Sequence, residues 1–273
     1  MAPAWDPIKS ATGWASFDRD GSCVFFEPAS RRLQVWSRET GVSDTLDLSR
    51  LRGLPDKWVL DPAGNAWVVT GTTLQRVAPD GRIGPTFALP AEVADLAWDA
   101  RSFLLCFRGK EAYLERRDLN TGALLWSAGP RPAKDENDPL DRHHVTIPED
   151  GRILLSTGDG LNLLVLEPAK GEWQETITFK LKGERPPTLA LGGAGRGALA
   201  WWLDHNVAVA AIPAAQLPGR GLTGLVLARM DLGTHELTLL STDADERSML
   251  VGILDGSAVL RRPQGGLAFF PIP

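Results

Sequence analysis

The chain has 273 residues, 43% hydrophobic and 23% charged, with a formal net charge of −5. Such a length and apolar fraction can bury a substantial core as one domain over residues 1–273, and interspersed carboxylates with no basic stripe argue against a nucleic-acid surface. The start MAPAWDPIKS lacks the basic and apolar regions of a secretory leader, and no stretch reaches the ~18 apolar residues that span a bilayer, so the expectation is a cytoplasmic protein with no membrane contact.

In chain order, one unit recurs: a short apolar strand, an Asp/Gly turn, a second apolar strand. Its copies are WASFDRDGSCVFFE, WVLDPAGNAWVVT, LAWDARSFLLCFR, VTIPEDGRILLST, LALGGAGRGALAWWL and LVGILDGSAVLRR. A second hairpin stands between copies: LQVWSRETGVSDTLDL, LQRVAPDGRIGPTF, YLERRDLNTGALLWSA, LLVLEPAKGEWQETITF and LVLARMDLGTHELTLL. The loops carry Gly, Asn and Asp because tight turns need positive φ. Short apolar runs bounded by such residues read as strands, and AEVADLAW, residues 91–98, is the nearest approach to a helical turn. At most one such turn is expected. Cys23 and Cys106 fall inside apolar strands and read as buried reduced thiols.

Taking Gly21, Gly64, Ser102, Gly151, Gly195 and Gly256 as turn markers, the repeat has a period of roughly forty-odd residues, with one insertion at IPAAQLPGRGLTG, residues 212–224. Two hairpins per repeat make four strands, and a four-stranded unit of about 40–45 residues marks a propeller blade. The expected fold is all-β, a single β-propeller of six four-stranded blades, with seven as the alternative. The last copy has room for three strands, and an N-terminal strand from WDPIKS is expected to close it, removing free sheet edges.

At these residues the chain resembles the WD-repeat, NHL and sensor-type β-propeller superfamily. DPAGNAWVVTGTTLQRVAPDGRI, residues 61–83, is similar to NHL and sensor blades, and DLNTGALLWSA is similar to the hairpins of quinoprotein-like propellers. The blades lack a regular Trp-Asp ending and the Gly-His pair of true WD repeats, so the resemblance implies architecture and no particular family.

The chemically richest stretch is KDENDPLDRHH, residues 134–144, in the loop joining the outermost strand of blade three to the innermost strand of blade four. Asp138, Asp141, His143 and His144 are candidate metal ligands, since carboxylate and imidazole sets suit divalent cations. His143 and His144 point to opposite faces if both are extended, and no second cluster supplies partners. A solvated loop without metal is therefore the preferred reading. DRDGS at 18–22 lacks the Gly and Glu spacing of a calcium loop, and GGAGRG at 192–197 is followed by a strand rather than the helix that phosphate binding needs. No nucleophile and base signature is present.

Of ten Trp, Trp14, Trp58, Trp67, Trp98 and Trp126 are expected to fill space between blades. One ring of the adjacent pair Trp201 and Trp202 is a binding candidate. The inner strands read as apolar, which counts against a polar central site. The expected function is a non-enzymatic, cofactor-free scaffold binding another protein through Asp135, Glu136, Asp138, Asp141, His143, Trp201, Trp202 and Arg220. Its rivals are a metal-dependent lactonase-like hydrolase and a small-ligand or carbohydrate binder.

Overall fold

The computed structural model describes residues 15–17, 23–37, 41–108, 113–129, 145–147, 151–156, 162–182, 200–202, 206–217, 220–254 and 256–273. Four antiparallel hairpin-linked strands form each of the first four sheets. They are β1 (Ala15–Phe17), β2 (Cys23–Glu27), β3 (Arg32–Ser37) and β4 (Gly41–Asp47); β5 (Lys57–Leu60), β6 (Ala66–Thr70), β7 (Thr73–Val77) and β8 (Ile83–Ala88); β9 (Val93–Trp98), β10 (Ser102–Phe107), β11 (Tyr113–Asp118) and β12 (Leu124–Ala128); β13 (Val145–Thr146), β14 (Ile153–Ser156), β15 (Asn162–Leu166) and β16 (Trp173–Thr178). The fifth sheet holds β17 (Lys180–Leu181), β18 (Ala200–Trp202), β19 (Val207–Pro213), β20 (Leu225–Asp231) and β21 (Glu236–Ser241), and the sixth β22 (Met249–Leu254), β23 (Ser257–Arg261) and β24 (Leu267–Pro271). β9 lies beside β5 and β13, and β22 lies beside both β18 and β1, which closes the ring. The chain folds as a six-bladed β-propeller.

Strand alternation explains why the middle strands are unbroken apolar runs. Every residue of β10 is buried; Phe103, Leu105 and Phe107 enter the core shared with the second blade, while Leu104 and Cys106 enter the core shared with the fourth. With both faces covered, a polar side chain persists only with a partner, as Ser102 does by donating to Asp99 Oδ2. The apolar clusters accordingly sit between successive blades rather than within one. Cys23 and Cys106 are buried, and neither forms a disulfide among the described residues.

Buried Trp rings tie neighbouring blades together through their N–H groups. Trp58 Nε1 donates to Val24 O of the first blade at 3.3 Å, Trp67 Nε1 to Leu119 O of the third at 2.6 Å, and Trp126 Nε1 to Pro168 O of the fourth at 2.8 Å. The last two acceptors sit in the matching turns DLNTG and EPAKG, whose Gly122 and Gly171 have φ of 72° and 72°. The third such turn, DLGTH, places exposed His235 at this left-handed position, φ 56°, with its ring edge-on to Phe179 at 6.4 Å.

Carboxylates cap these and other turns. Asp118 Oδ1 accepts the N–H of Asn120 and Thr121, Asp231 Oδ1 those of Gly233 and Thr234, and Asp245 Oδ1 that of Arg247. Hydrogen bonds to Thr121 and Thr234 hold Asp118 and Asp231 below the usual carboxylate range, and the Arg247 side chain brings Asp245 to about 2. A carboxyl depressed in the folded state adds stability above its unfolded value, near 3.8, and that stability disappears as pH falls through the folded value. Thermal denaturation should therefore show a plateau down to about pH 5 and a fall in midpoint between about pH 4 and 2. Asp118→Asn should reduce the size of that fall.

The outer edges follow a rule that only the structure reveals. β4, β8, β12 and β16 each carry a register shift against the preceding strand, whereas β21 pairs with β20 without one. A shifted strand bends and cannot present a regular ladder to another chain. Only β21 among these takes an added strand: β17 pairs parallel to it, Lys180 opposite Glu236 and Leu181 opposite Leu237.

Two sequence expectations are corrected, and a third lies outside the described residues. Residues 93–98 of AEVADLAW are strand β9, not a helical turn, because pairing with β10 overrides local propensity. The one helical turn among the described residues is a 3₁₀ segment at Ala214–Gln216. In the fifth blade, AWW of GALAWWL is strand β18, at the inner end of its sheet, and pairs antiparallel with β19 rather than standing as the blade's second strand; the segment around Gly195 lies outside the described residues. The sixth sheet has three strands among the described residues, and the expected N-terminal closing strand lies outside them.

Candidate functional site at the channel mouth

Two of the six innermost strands carry a charged residue, where apolar strands were expected. β5 starts one residue before its tryptophan, at Lys57, and β9 contains Asp95. Lys57 shares the face of Val59, which packs towards the third blade. Asp95 pairs in register with Cys106 and faces the fourth blade, where its Oδ2 accepts the N–H of Val145, the first residue of β13, at 2.9 Å. Lys57 Nζ lies 4.0 Å from Asp95 Oδ1, with side-chain exposures of 17% and 3%. One carboxylate thus joins three successive blades where their inner strands begin.

Burial shapes the chemistry of this group. Desolvation pushes the Lys57 ammonium down by more than Asp95 restores; Arg108 lowers it further, while Asp56 and Cys106 oppose the shift. Burial likewise pushes the Cys106 thiol up, reinforced by the Asp95 carboxylate. Cys106 is therefore an inert thiol, and Lys57 is the group whose reactivity the site alters. At the rim of the mouth, exposed Arg108 meets Glu92 at 3.2 Å, and half-buried Tyr113 packs on Phe107 with ring centroids 5.5 Å apart.

Opposite the mouth, two Asp–Arg pairs are structural. Asp61 accepts from Ala63 N, Asn65 N, Asn65 Nδ2 and Arg76 Nη2. Asp99 binds Arg101 N, Ser102 N and Arg116 Nη2; burial alone would raise its carboxyl, and these donors outweigh burial and hold it below the usual range. Each carboxylate pins the turn between the first two strands of its blade to the third strand.

Most of the residues singled out from the sequence lie outside the described part of the chain. Asp135, Glu136, Asp138, Asp141, His143 and His144 lie outside the described residues, between β12 and β13 as expected from the repeat. Among the described residues no group of three or more His, Cys, Asp and Glu side chains could hold a metal ion. Trp201 and Trp202 are consecutive in β18. Arg220 is half-buried in the 212–224 insertion, which is anchored by buried Leu217 and by Leu222 on the core between the fourth and fifth blades. That insertion is a cap on the core as much as a loop.

Sequence reasoning missed three exposed apolar side chains on the outer strands of the third and fourth blades. Leu124 and Leu125 of β12 are 50% and 53% exposed, and Trp173, opening β16 of the next blade, is 46% exposed. Trp126 bridges the two blades, its ring lying where a side chain at Gly171 would otherwise stand. The signal was present in LLW, an outermost strand without a charge or proline.

No family model and no curated protein matches the chain. Solved structures do resemble it in fold. Virginiamycin B lyase from Staphylococcus aureus, in selenomethionine-substituted form, superposes with a TM-score of 0.58 at 10% identity, covering 95% of this chain and 80% of that one. A streptogramin B lyase structure gives 0.57 at 8% identity over 98% and 84% of the two chains. KlHsv2 with loop 6CD replaced by a Gly-Ser linker gives 0.57 at 9%, over 90% and 74%. At such identities the likeness shows the propeller fold alone. Among the described residues no helix is long and apolar enough to cross a membrane.

Proposed function

We propose that the protein is a binding platform that engages a protein partner through the rim of its third and fourth blades. The observation that carries this reading is the set of large exposed apolar side chains, Leu124, Leu125 and Trp173, on neighbouring outer strands. Most surface-exposed apolar residues are isolated, and clusters containing Trp mark interaction sites. The register shift in β12 makes side-chain docking, rather than strand addition, the mode of contact.

The test compares the immobilised full chain with Leu125→Asp and Trp173→Ala in quantitative crosslinking from a lysate of the source cells, with Lys170→Ala as a surface control. Truncating a hot-spot Trp costs about 2 kcal/mol or more, so at about 1.4 kcal/mol per decade the captured partner should fall more than tenfold in both rim variants. It should persist in the control. An identical set of captured proteins in all four samples would overturn the reading.

A further inference from the structure

We propose that Lys57 is an imine-forming site for small uncharged aldehydes and ketones reaching the channel mouth, with Asp95 moving the proton. The site is independent of the rim, so either reading can fail alone.

Three features of position support it. Lys57 stands on the innermost strand β5, whereas the other described lysines, Lys170, Lys180 and Lys182, are exposed on the outside of the ring. Its side chain retains 17% exposure, which suits a small molecule better than a large one. Asp95 Oδ1 stands 4.0 Å from Nζ, and that carboxylate is held in place by Val145 N–H on its other oxygen. Among the described residues the charges facing Lys57 are Asp95, Asp56 and Arg108, with the Cys106 thiol beside Asp95. Acid and base nearly balance there, which favours an uncharged ligand over an anion. Burial also moves the ammonium towards its unprotonated, nucleophilic form.

The step needs no oxidant or reductant. The unprotonated Nζ attacks the carbonyl carbon and the C=O π pair moves to oxygen. Nitrogen releases one proton to Asp95, which passes it to the alkoxide to give a neutral carbinolamine. A proton from solvent then reaches the hydroxyl through Asp95, and the hydroxyl leaves as water while the nitrogen lone pair closes the C=N bond, giving a protonated imine beside the Asp95 carboxylate.

The probe is 2,4-pentanedione, which condenses with an unprotonated lysine to an enaminone and one water. The full chain is treated near pH 7 and every lysine is followed by peptide mapping. A downward pKa shift raises the unprotonated fraction, so Lys57 should be modified faster than Lys170, Lys180 and Lys182. The pH at which its rate reaches half-maximum should lie below theirs. Asp95→Asn should slow Lys57 modification at pH 6, where protonating the leaving hydroxyl matters most. Labelling of Lys57 no faster than of Lys170 would overturn the site, a result the unmutated chain delivers by itself. An unchanged rate in Asp95→Asn would overturn the role of the carboxylate.

Discussion

Gly122→Ala should lower the thermal midpoint by about 6 to 12 °C. The backbone at Gly122 has φ 72°, where a non-glycine residue costs roughly 1–2 kcal/mol. A Cβ there would meet Trp67 Cη2 at 2.4 Å and Phe87 Cε2 at 2.8 Å, distances at which something must move. Neither ring can retreat. Trp67 is fully buried, donates its N–H to Leu119 O, and is flanked by Phe103 at 5.7 Å and Phe87 at 6.0 Å. Overpacking of that kind adds roughly 1–3 kcal/mol, so the total is about 3 kcal/mol, at roughly 2–4 °C each for a chain of this size. Gly151→Ala separates the two causes, since Gly151 has φ 81° but nothing within 4 Å of its Cβ position. It should carry the backbone cost alone, a fall of about 2 to 4 °C. Differential scanning calorimetry of both variants decides the matter; equal midpoints would mean that the Trp67 contact is not under compression.

The blade count and most hairpins were legible because two local signals agree. Turn residues punctuate every hairpin, and the runs between them have strand length, so DPAGN between β5 and β6 and DLNTG between β11 and β12 announce themselves. Where the signals separate, the reading failed. GGAGRG offers abundant turn glycine and drew the hairpin of the fifth blade to Gly195, whereas AWW pairs with the strand that follows it, β19. AEVADLAW failed for the opposite reason, since its propensity is local and its conformation is set by β10.

The site was less legible than the fold. Periodicity assigns residues to faces, but it says nothing of which strands meet at the channel. Lys57 reads as the last residue of a loop before WVL, and Asp95 as one acid in ADLAW; nothing in either stretch signals that they approach to 4.0 Å across a blade boundary. The side-chain-rich KDENDPLDRHH attracted attention because its residues are close in sequence. Asp95 instead gathers partners 38 positions before it and 50 after it, Lys57 and Val145. Ring closure makes such pairs, and a linear reading is blind to them.

The second large effect belongs to that pair. Asp95→Leu should destabilise the protein by about 3–5 kcal/mol, since removing one member leaves a buried charge uncompensated. It also deprives Val145 N–H of its acceptor, a further cost of about 1–3 kcal/mol. Lys57→Met leaves the carboxylate, only 3% exposed, without its ammonium and should also destabilise, though less, because Val145 N–H still serves Oδ2. The double variant should be more stable than Asp95→Leu alone: two apolar side chains replace two desolvated ions, and buried pairs exchanged in this way are often neutral or better. Lys57 predicts a pH signature as well. Its ammonium is depressed by burial below 10.5, so near the folded value the unfolded state binds more protons, and stability should rise as pH climbs towards 10.5. That rise should vanish in Lys57→Met. Urea midpoints of the four proteins at pH 7 and pH 10 measure both effects. Strictly additive single-variant losses would mean that the two side chains do not interact, and that the carboxylate serves the Val145 backbone alone.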